Sequence, residues 1–240
     1  MTISVTKANG VAFTGSKTLT GIYGSLTLKS DGSWTYALDD KDTDTQGLFD
    51  GQTVTDVFDY TVTDKYKAGT KVKDGASDDG KLTITIEGRN DDPTAGALKS
   101  TVSEDGFIPS VLLAGDDIDS DDDQASLTYT IVTNTSGGVA NVVGNSYAFD
   151  PGVDFQDLSQ GEKRDASFTY TATDTHGAVS NTATVTITVT GVNDDVTITS
   201  GAQAGEVVED TVGSVTATGA VSFTDVDLND THDAAFKASG

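Results

Sequence analysis

Apolar and polar residues alternate strictly along Phe58-Asp59-Tyr60-Thr61-Val62-Thr63-Asp64 and again along Leu82-Thr83-Ile84-Thr85-Ile86-Glu87. A period of two places every second side chain on one face, so each run predicts a half-buried β-strand. The pair recurs as Phe168-Thr169-Tyr170-Thr171-Ala172-Thr173-Asp174 and Val185-Thr186-Ile187-Thr188-Val189-Thr190, displaced by 110 residues for the first run and 103 for the second. Upstream, Gly32-Ser33-Trp34-Thr35-Tyr36 matches Asn145-Ser146-Tyr147-Ala148-Phe149, and Leu48-Phe49-Asp50-Gly51-Gln52 matches Leu158-Ser159-Gln160-Gly161-Glu162. Two copies of one unit therefore share four elements in the same order.

A partial third copy follows, because Val102-Ser103-Glu104-Asp105 resembles Val207-Val208-Glu209-Asp210 and Asp117-Ile118-Asp119 resembles Asp225-Val226-Asp227. The first copy lacks these opening elements and the third lacks what comes after them. The expected domains are 1–92, 93–195 and 196–240, divided at the Asn-Asp-Asp stretches. No segment carries a 3.6-residue apolar period, and Gly, Asp, Asn and Ser clusters punctuate the Thr- and Val-rich runs, so the expected class is all-β, in tandem sandwiches. Trp34, Tyr36, Phe58, Tyr60, Ile84 and Ile86 are the expected first core. Tyr147, Phe149, Phe168, Tyr170, Ile187 and Val189 are the second.

Composition narrows the function. The 240 residues carry 38 acidic against 14 basic side chains, a net charge of -24, which repels nucleic acid and anionic lipid and favours multivalent cations. Cysteine is absent, so neither disulfides nor zinc–thiolate sites stiffen the chain. No apolar run is long enough to span a membrane, and Met1-Thr2-Ile3-Ser4-Val5 shows no secretory signal; export would require one elsewhere.

The carboxylates are not spread evenly. Calcium takes six to eight oxygens, commonly from Asp and Glu and from backbone carbonyls. Asn90-Asp91-Asp92 and Asn193-Asp194-Asp195 stand between copies, and a DxD pair follows each, Asp117/Asp119 and Asp225/Asp227. On a strand the two Asp of a DxD face the same way and could reach one ion. The strand-ending Asp64 and Asp174 and the pairs Glu104/Asp105 and Glu209/Asp210 complete the candidate set.

The stretch from Gly24-Ser25-Leu26-Thr27-Leu28 through Asp31-Gly32-Ser33-Trp34-Thr35-Tyr36 to Asn90-Asp91-Asp92-Pro93 resembles the later part of a VCBS-type repeat, and Phe223-Thr224-Asp225-Val226-Asp227-Leu228-Asn229-Asp230-Thr231-His232 resembles the earlier part of one. The middle copy is similar to bacterial cadherin-like repeats. The resemblance implies Greek-key, Ig/cadherin-like sandwiches from the extender region of a large type I secreted (RTX-type) adhesin of Gram-negative bacteria, working at the cell surface in attachment or biofilm. It also implies Ca2+ at each junction. Carried onto this chain, one junction would use Asp64, Asn90, Asp91, Asp92, Asp117 and Asp119, without an early Glu. The other would use Glu104, Asp105, Asp174, Asn193, Asp194, Asp195, Asp225 and Asp227.

Plainer readings stand beside these. Asp and Asn favour turns by bonding their own backbone, so the junction carboxylates could be solvated turn residues, Asp121-Asp122-Asp123 above all. Trp34, on an alternating strand, reads as core rather than as a sugar-stacking platform; His176 and His232 read as surface turn residues. Catalysis is not expected: two His and no Cys leave little for a nucleophilic triad, and a glycosidase carboxylate pair would not be duplicated copy by copy. The expected function is a calcium-stiffened spacer whose partners are neighbouring repeats. The alternatives are a glycan- or peptide-binding module and a subunit that assembles head to tail.

Overall fold

A computed structural model describes residues 2–209, 213 and 216–237. The described residues are almost entirely strand, turn and loop, with one short helix, Thr43–Gln46, capped by the Asp42 side chain, and one 3₁₀ turn, Gly152–Asp154. No helix among the described residues is long and apolar enough to cross a membrane. Two compact units emerge. One comprises residues up to Thr94 with 115–127 and 173–180; the other comprises 95–114, 128–172 and the residues from Asn181 onward.

The first unit is a sandwich of two sheets. The four-stranded sheet runs Val11–Ala12, Thr2–Ala8, Thr53–Ala68, Lys71–Glu87; the three-stranded sheet runs Ser16–Thr20, Gly24–Lys29, Trp34–Leu38. Between them lie Val5, Ala8, Leu19, Leu26, Leu28 and Phe58, with Tyr36, Tyr60, Val62, Leu82 and Ile84 packed around and only partly covered. Alternation produces this: in Gly24–Lys29 the residues Gly24, Leu26 and Leu28 are buried and their neighbours are not. The Asp56 carboxylate, buried, accepts hydrogen bonds from the Ile22 and Tyr23 amides and from the Tyr36 hydroxyl at 2.6 Å, tying the two sheets together.

Two expectations fail here. Trp34 is 48% exposed rather than a core residue; it stands opposite buried Leu28 on an outermost strand, and nothing among the described residues pairs with the strand's far side. The strands also run past the alternating segments. Lys71–Glu87 and Thr53–Ala68 form one long hairpin that continues beyond a bulge at Asp64, with Lys65 opposite Asp74 and Lys67 opposite Val72. Residues 66–79 are exposed. With no buried face to enforce alternation, that extension has no periodic signature.

The second unit repeats the plan. Its four-stranded sheet runs Thr128–Thr133, Lys163–Thr173, Ala183–Thr190, Leu98–Ser103, the last pair parallel; its three-stranded sheet runs Ile108–Leu112, Ser146–Asp150, Val139–Val143. All six residues expected in this core are buried, and Tyr147 meets Phe168 edge-on at 5.3 Å. After Ala183–Thr190, Gly191 donates its amide to Glu162 at 2.8 Å and passes so close to the Leu158 and Ser159 carbonyls that no side chain fits. Gly88, after Lys71–Glu87, does the same against Gln52, Leu48 and Phe49. Each glycine aims the Asn-Asp-Asp stretch that follows.

Candidate metal centre

Each unit holds its own acidic cluster, built on the same frame. In the first unit the Asp91 amide donates to Asp119 Oδ2 at 2.8 Å, the Asp119 amide to Asp117 Oδ1 at 3.0 Å, and Asn90 Nδ2 to the Asp91 carbonyl at 2.7 Å. In the second, the Asp194 amide donates to Asp227 Oδ2 at 2.9 Å, the Asp227 amide to Asp225 Oδ1 at 3.1 Å, and Asn193 Nδ2 to the Asp194 carbonyl at 2.8 Å. Both DxD pairs lie beyond the ends of their strands, Ala114–Asp116 and Phe223–Thr224, rather than on them. Their carboxylates converge through an Asx-type turn, the first Asp accepting the amide two residues on, and not through strand alternation.

The completing carboxylate differs. In the first unit it is Asp174, which accepts Asn90 Nδ2 at 2.8 Å and the His176 and Ala178 amides at 2.9 and 2.8 Å. In the second it is Glu104, which accepts the Val192 amide at 2.6 Å and lies with Asp194 and Asp227 so that one oxygen of each falls within 4.8 Å of the others. This corrects the expected grouping. Asp174 joins Asn90, Asp117 and Asp119, not Asn193. The antiparallel register sets Lys163 opposite Thr190, so the strand leading to Asp174 ends at the edge away from Asn193. The same geometry removes Asp64 from the Asn90 cluster: Thr53 lies opposite Glu87, and eleven residues at about 3.3 Å each put Asp64 roughly 35 Å along the hairpin, where it faces Gly75.

The remaining candidates take lesser places. Asp92, Asp105 and Asp195 are exposed, and Asp105 Oδ1 accepts from Gln156 Nε2 at 3.5 Å. Asp210 lies outside the described residues, and Glu209 is exposed. Asp122, given as a solvated loop residue, is buried: it accepts Thr175 Oγ1 at 2.9 Å and Ser126 Oγ at 2.7 Å. His176 Nε2 stands 3.7 Å from Asp121 and Nδ1 stands 3.9 Å from Asp122. His232 Nε2 is 3.5 Å from Asp225, with its ring edge-on to Phe223. Sequence reasoning also passed over Glu162, which accepts Asn229 Nδ2 at 2.9 Å, and Gln52, its counterpart in the repeat. Each stands four residues after a repeated leucine, Leu48 and Leu158, and that was the available signal.

Electrostatics sets these groups apart from ordinary turn residues. Burial is the first cause pushing the carboxyls of Glu104, Asp117, Asp119 and Asp194 above their usual range, and neighbouring carboxylates add to it: Asp194, Asp105 and Asp227 around Glu104, Asp122 and Asp174 around Asp117. Burial acts on Asp174 in the same direction, but bonds from Asn90 and the Ala178, Gly177 and His176 amides outweigh it and hold that carboxyl low. No lysine or arginine among the described residues comes within ion-pair distance of either cluster. Among the described residues, the buried side-chain oxygens without a hydrogen-bond donor are those of Gln52, Asp64, Asn90, Glu104, Asp117, Asp119, Asp194 and Asp227. Six of these eight belong to the two clusters. A buried carboxylate oxygen with no donor is costly, and an oxygen-seeking divalent cation is the partner that would satisfy several at once.

Residues 90–191 match the family model of the bacterial cadherin-like domain. Among solved structures, the chain is similar to Drosophila N-cadherin EC1-4 (16% identity, TM-score 0.41, covering 80% of this chain and 41% of that one). It is similar also to Drosophila N-cadherin EC1-3 (16%, TM-score 0.34, 72% and 53%) and to an endo-fucoidan hydrolase of glycoside hydrolase family 107 (17%, TM-score 0.27, 74% and 23%). The chain thus spans about half or less of each of these structures. No curated protein matches it. The segment similar to a bacterial cadherin-like domain opens at Asn90 and closes at Gly191, taking in Asp117, Asp119, Asp174 and Glu104.

Proposed function

We propose that this chain is a calcium-stiffened structural spacer, a stretch of the extender region of a bacterial cell-surface adhesin, exported and working outside the cell in attachment or biofilm. The observation that carries the reading is the set of buried, donorless oxygens gathered from the linkers and DxD pairs. Asn90, Asp91, Asp117, Asp119 and Asp174 would hold one calcium centre, and Glu104, Asp194, Asp225 and Asp227 another. The exposed Asp92, Asp105, Asn193 and Asp195 would contribute charge at the rim. Calcium would supply neutralising charge to groups that otherwise repel, and each linker would be pinned to its DxD turn and to the carboxylate that completes its cluster. The match to a cadherin-like domain supports the same reading, because such domains are adhesion or structural modules that commonly bind Ca2+. The VCBS-like segments on either side extend it to tandem repeats, with domains at 1–92, 93–195 and 196–240.

Small-angle scattering coupled to size exclusion tests this in millimolar calcium and again with chelator. The expected result is a stiff particle that becomes more flexible on chelation. A profile unchanged by chelation would leave the carboxylates as turn residues and overturn the proposal.

A further inference from the structure

Between the two alternating runs, the first copy of the repeat holds seven more residues than the second, because the runs are displaced by 110 and 103 residues. In the second copy the connection is a tight turn, closed by the Asp174 amide donating to the Ala178 carbonyl at 3.1 Å. In the first it is the far end of the long hairpin, which turns at Gly69-Thr70, with Gly69 at φ +66° and Ala68 opposite Lys71. Length alone does not say that the extra residues form strands; the register does.

This hairpin end has a composition unlike the rest of the chain. Residues 65–73, Lys-Tyr-Lys-Ala-Gly-Thr-Lys-Val-Lys, hold four of the 14 basic side chains and no acidic one, in a protein of net charge -24. Every residue from Tyr66 to Lys73 is exposed, so no packing demand accounts for the lysines. Lys65 stands 3.7 Å from Asp74, whereas Lys67, Lys71 and Lys73 have no ion-pair partner among the described residues. Residues directly opposite on paired strands share a face. Tyr66 therefore lies on one face with Lys73 opposite and Lys71 diagonal to it, and Lys67 lies on the other beside Val72. Tyr66 is 46% exposed. An exposed ring flanked by ammonium groups, on a protrusion that the sister repeat lacks, has the character of an inserted binding loop on a rigid scaffold.

We propose that the hairpin end binds an anionic polysaccharide, a chain of uronate or sulfated sugars, with one sugar ring stacked on Tyr66 and its anionic groups held by Lys71 and Lys73. Lys65 and Lys67 add attraction from the other face. Charge complementarity selects a polyanion, and three features select a saccharide among polyanions. The exposed ring offers an apolar face to the C–H groups of a sugar. All four cations are lysines, and arginine, whose planar fork matches phosphate and suits nucleic-acid recognition, is absent from the segment. Duplex DNA carries one charge per about 1.7 Å, so the acidic remainder of the chain repels it more strongly than a polymer with one charge per sugar. The inference rests on neither the calcium nor the spacer reading.

Calorimetric titration of the intact chain with oligomannuronate, dextran sulfate and neutral dextran tests this at low salt, without calcium, which would itself bridge carboxylates. The expected result is binding of an anionic probe and none of neutral dextran; whether the uronate or the sulfate binds tighter identifies the anion. Lys71→Gln/Lys73→Gln should weaken binding tenfold or more, and Tyr66→Ala several-fold. The loss from the lysines should shrink as salt is raised, and the loss from Tyr66 should persist. Lys99→Gln/Lys163→Gln removes the same charge from exposed positions of the second unit and should leave affinity unchanged. All four arm and control lysines and Tyr66 are exposed, so each variant should keep the wild-type unfolding temperature. No binding of either anionic probe, or an equal loss in the Lys99/Lys163 control, would overturn the proposal. So would duplex DNA binding more tightly than both saccharides. A mass that rises with concentration above the 24.7 kDa chain, and returns to it in the Lys71/Lys73 variant, would also overturn it, because the occupant would then be the acidic surface of a second copy.

Discussion

The two acidic clusters are the same frame finished in two ways. In both, an Asn-Asp linker donates one amide to the second Asp of a DxD turn, which in turn donates to the first, with matching distances within 0.1 Å. What differs is the last carboxylate. In the first unit it is Asp174, from the far end of a sandwich strand and 84 residues beyond Asn90; in the second it is Glu104, 88 residues before Val192. The linker and DxD are thus a self-contained cradle. The charge that completes it can come from either direction along the chain, so the clusters should respond separately to single substitutions even though they look alike.

The largest expected effect comes from removing that last charge. Glu104→Gln should abolish or weaken by roughly 100-fold, about 2.7 kcal/mol, one of two calcium-binding events in titration calorimetry, leaving the other intact. Asp174→Asn should remove the other. Glu104→Gln carries a second signature: without calcium it should raise the unfolding temperature, because it removes a buried charge held against Asp194 and Asp227. If both variants weaken the same binding event, the two clusters are not independent sites and the comparison fails.

How much of this was legible beforehand depends on what each residue had to obey. The core strands were, because Phe168, Tyr170, Ile187 and Val189 each bury one face and so must alternate. The cradle was legible because its residues recur at a domain's spacing. The placement of Asp174 was not: repeat counting pairs it with Asp64 but does not say which end of the sheet a strand points to, and the antiparallel register decides that. The extension of the hairpin through residues 66–79 left no trace because no face of it is buried. Trp34 misled for a related reason. Its strand has the right pattern, and its exposure follows from having no neighbouring strand on that side among the described residues, which its own sequence does not encode.

Next in size is the dependence on pH without calcium. Glu104, Asp117, Asp119 and Asp194 have their carboxyls raised, so the folded state holds protons that the unfolded chain releases. Their stabilising contribution is complete below the ordinary carboxylate pKa of about 4 and is lost as the pH rises through the raised values. Asp31, Asp157 and Asp174 are lowered and act in the opposite sense, Asp157 through its exposed pair with Arg164. The four clustered groups should prevail. Calcium-free protein should therefore unfold at a higher temperature at pH 5 than at pH 7, and added calcium should reverse the order, since the ion displaces those protons. A calcium-free unfolding temperature that falls from pH 7 to pH 5 would mean that the clusters are not under electrostatic strain.

The smallest effect belongs to Asp92 and Asp195, the exposed third members of the two linkers. They stand in equivalent positions, and among the described residues neither hydrogen-bonds to its cradle, so their influence on a bound cation is one of charge at a distance through water. At low salt, Asp92→Asn and Asp195→Asn should each weaken one calcium site by about 0.5 kcal/mol, in the range of exposed charge pairs. Screening decides the interpretation. The Debye length falls from about 10 Å at 0.1 M salt to about 3 Å at 1 M, so the difference between each variant and the wild type should vanish in calorimetric titrations at high salt. The loss in Glu104→Gln should persist there, because a buried group in contact with the ion is poorly screened. A salt-resistant loss in Asp92→Asn or Asp195→Asn would move that residue from the rim into the cradle and make the two clusters larger than their buried oxygens indicate.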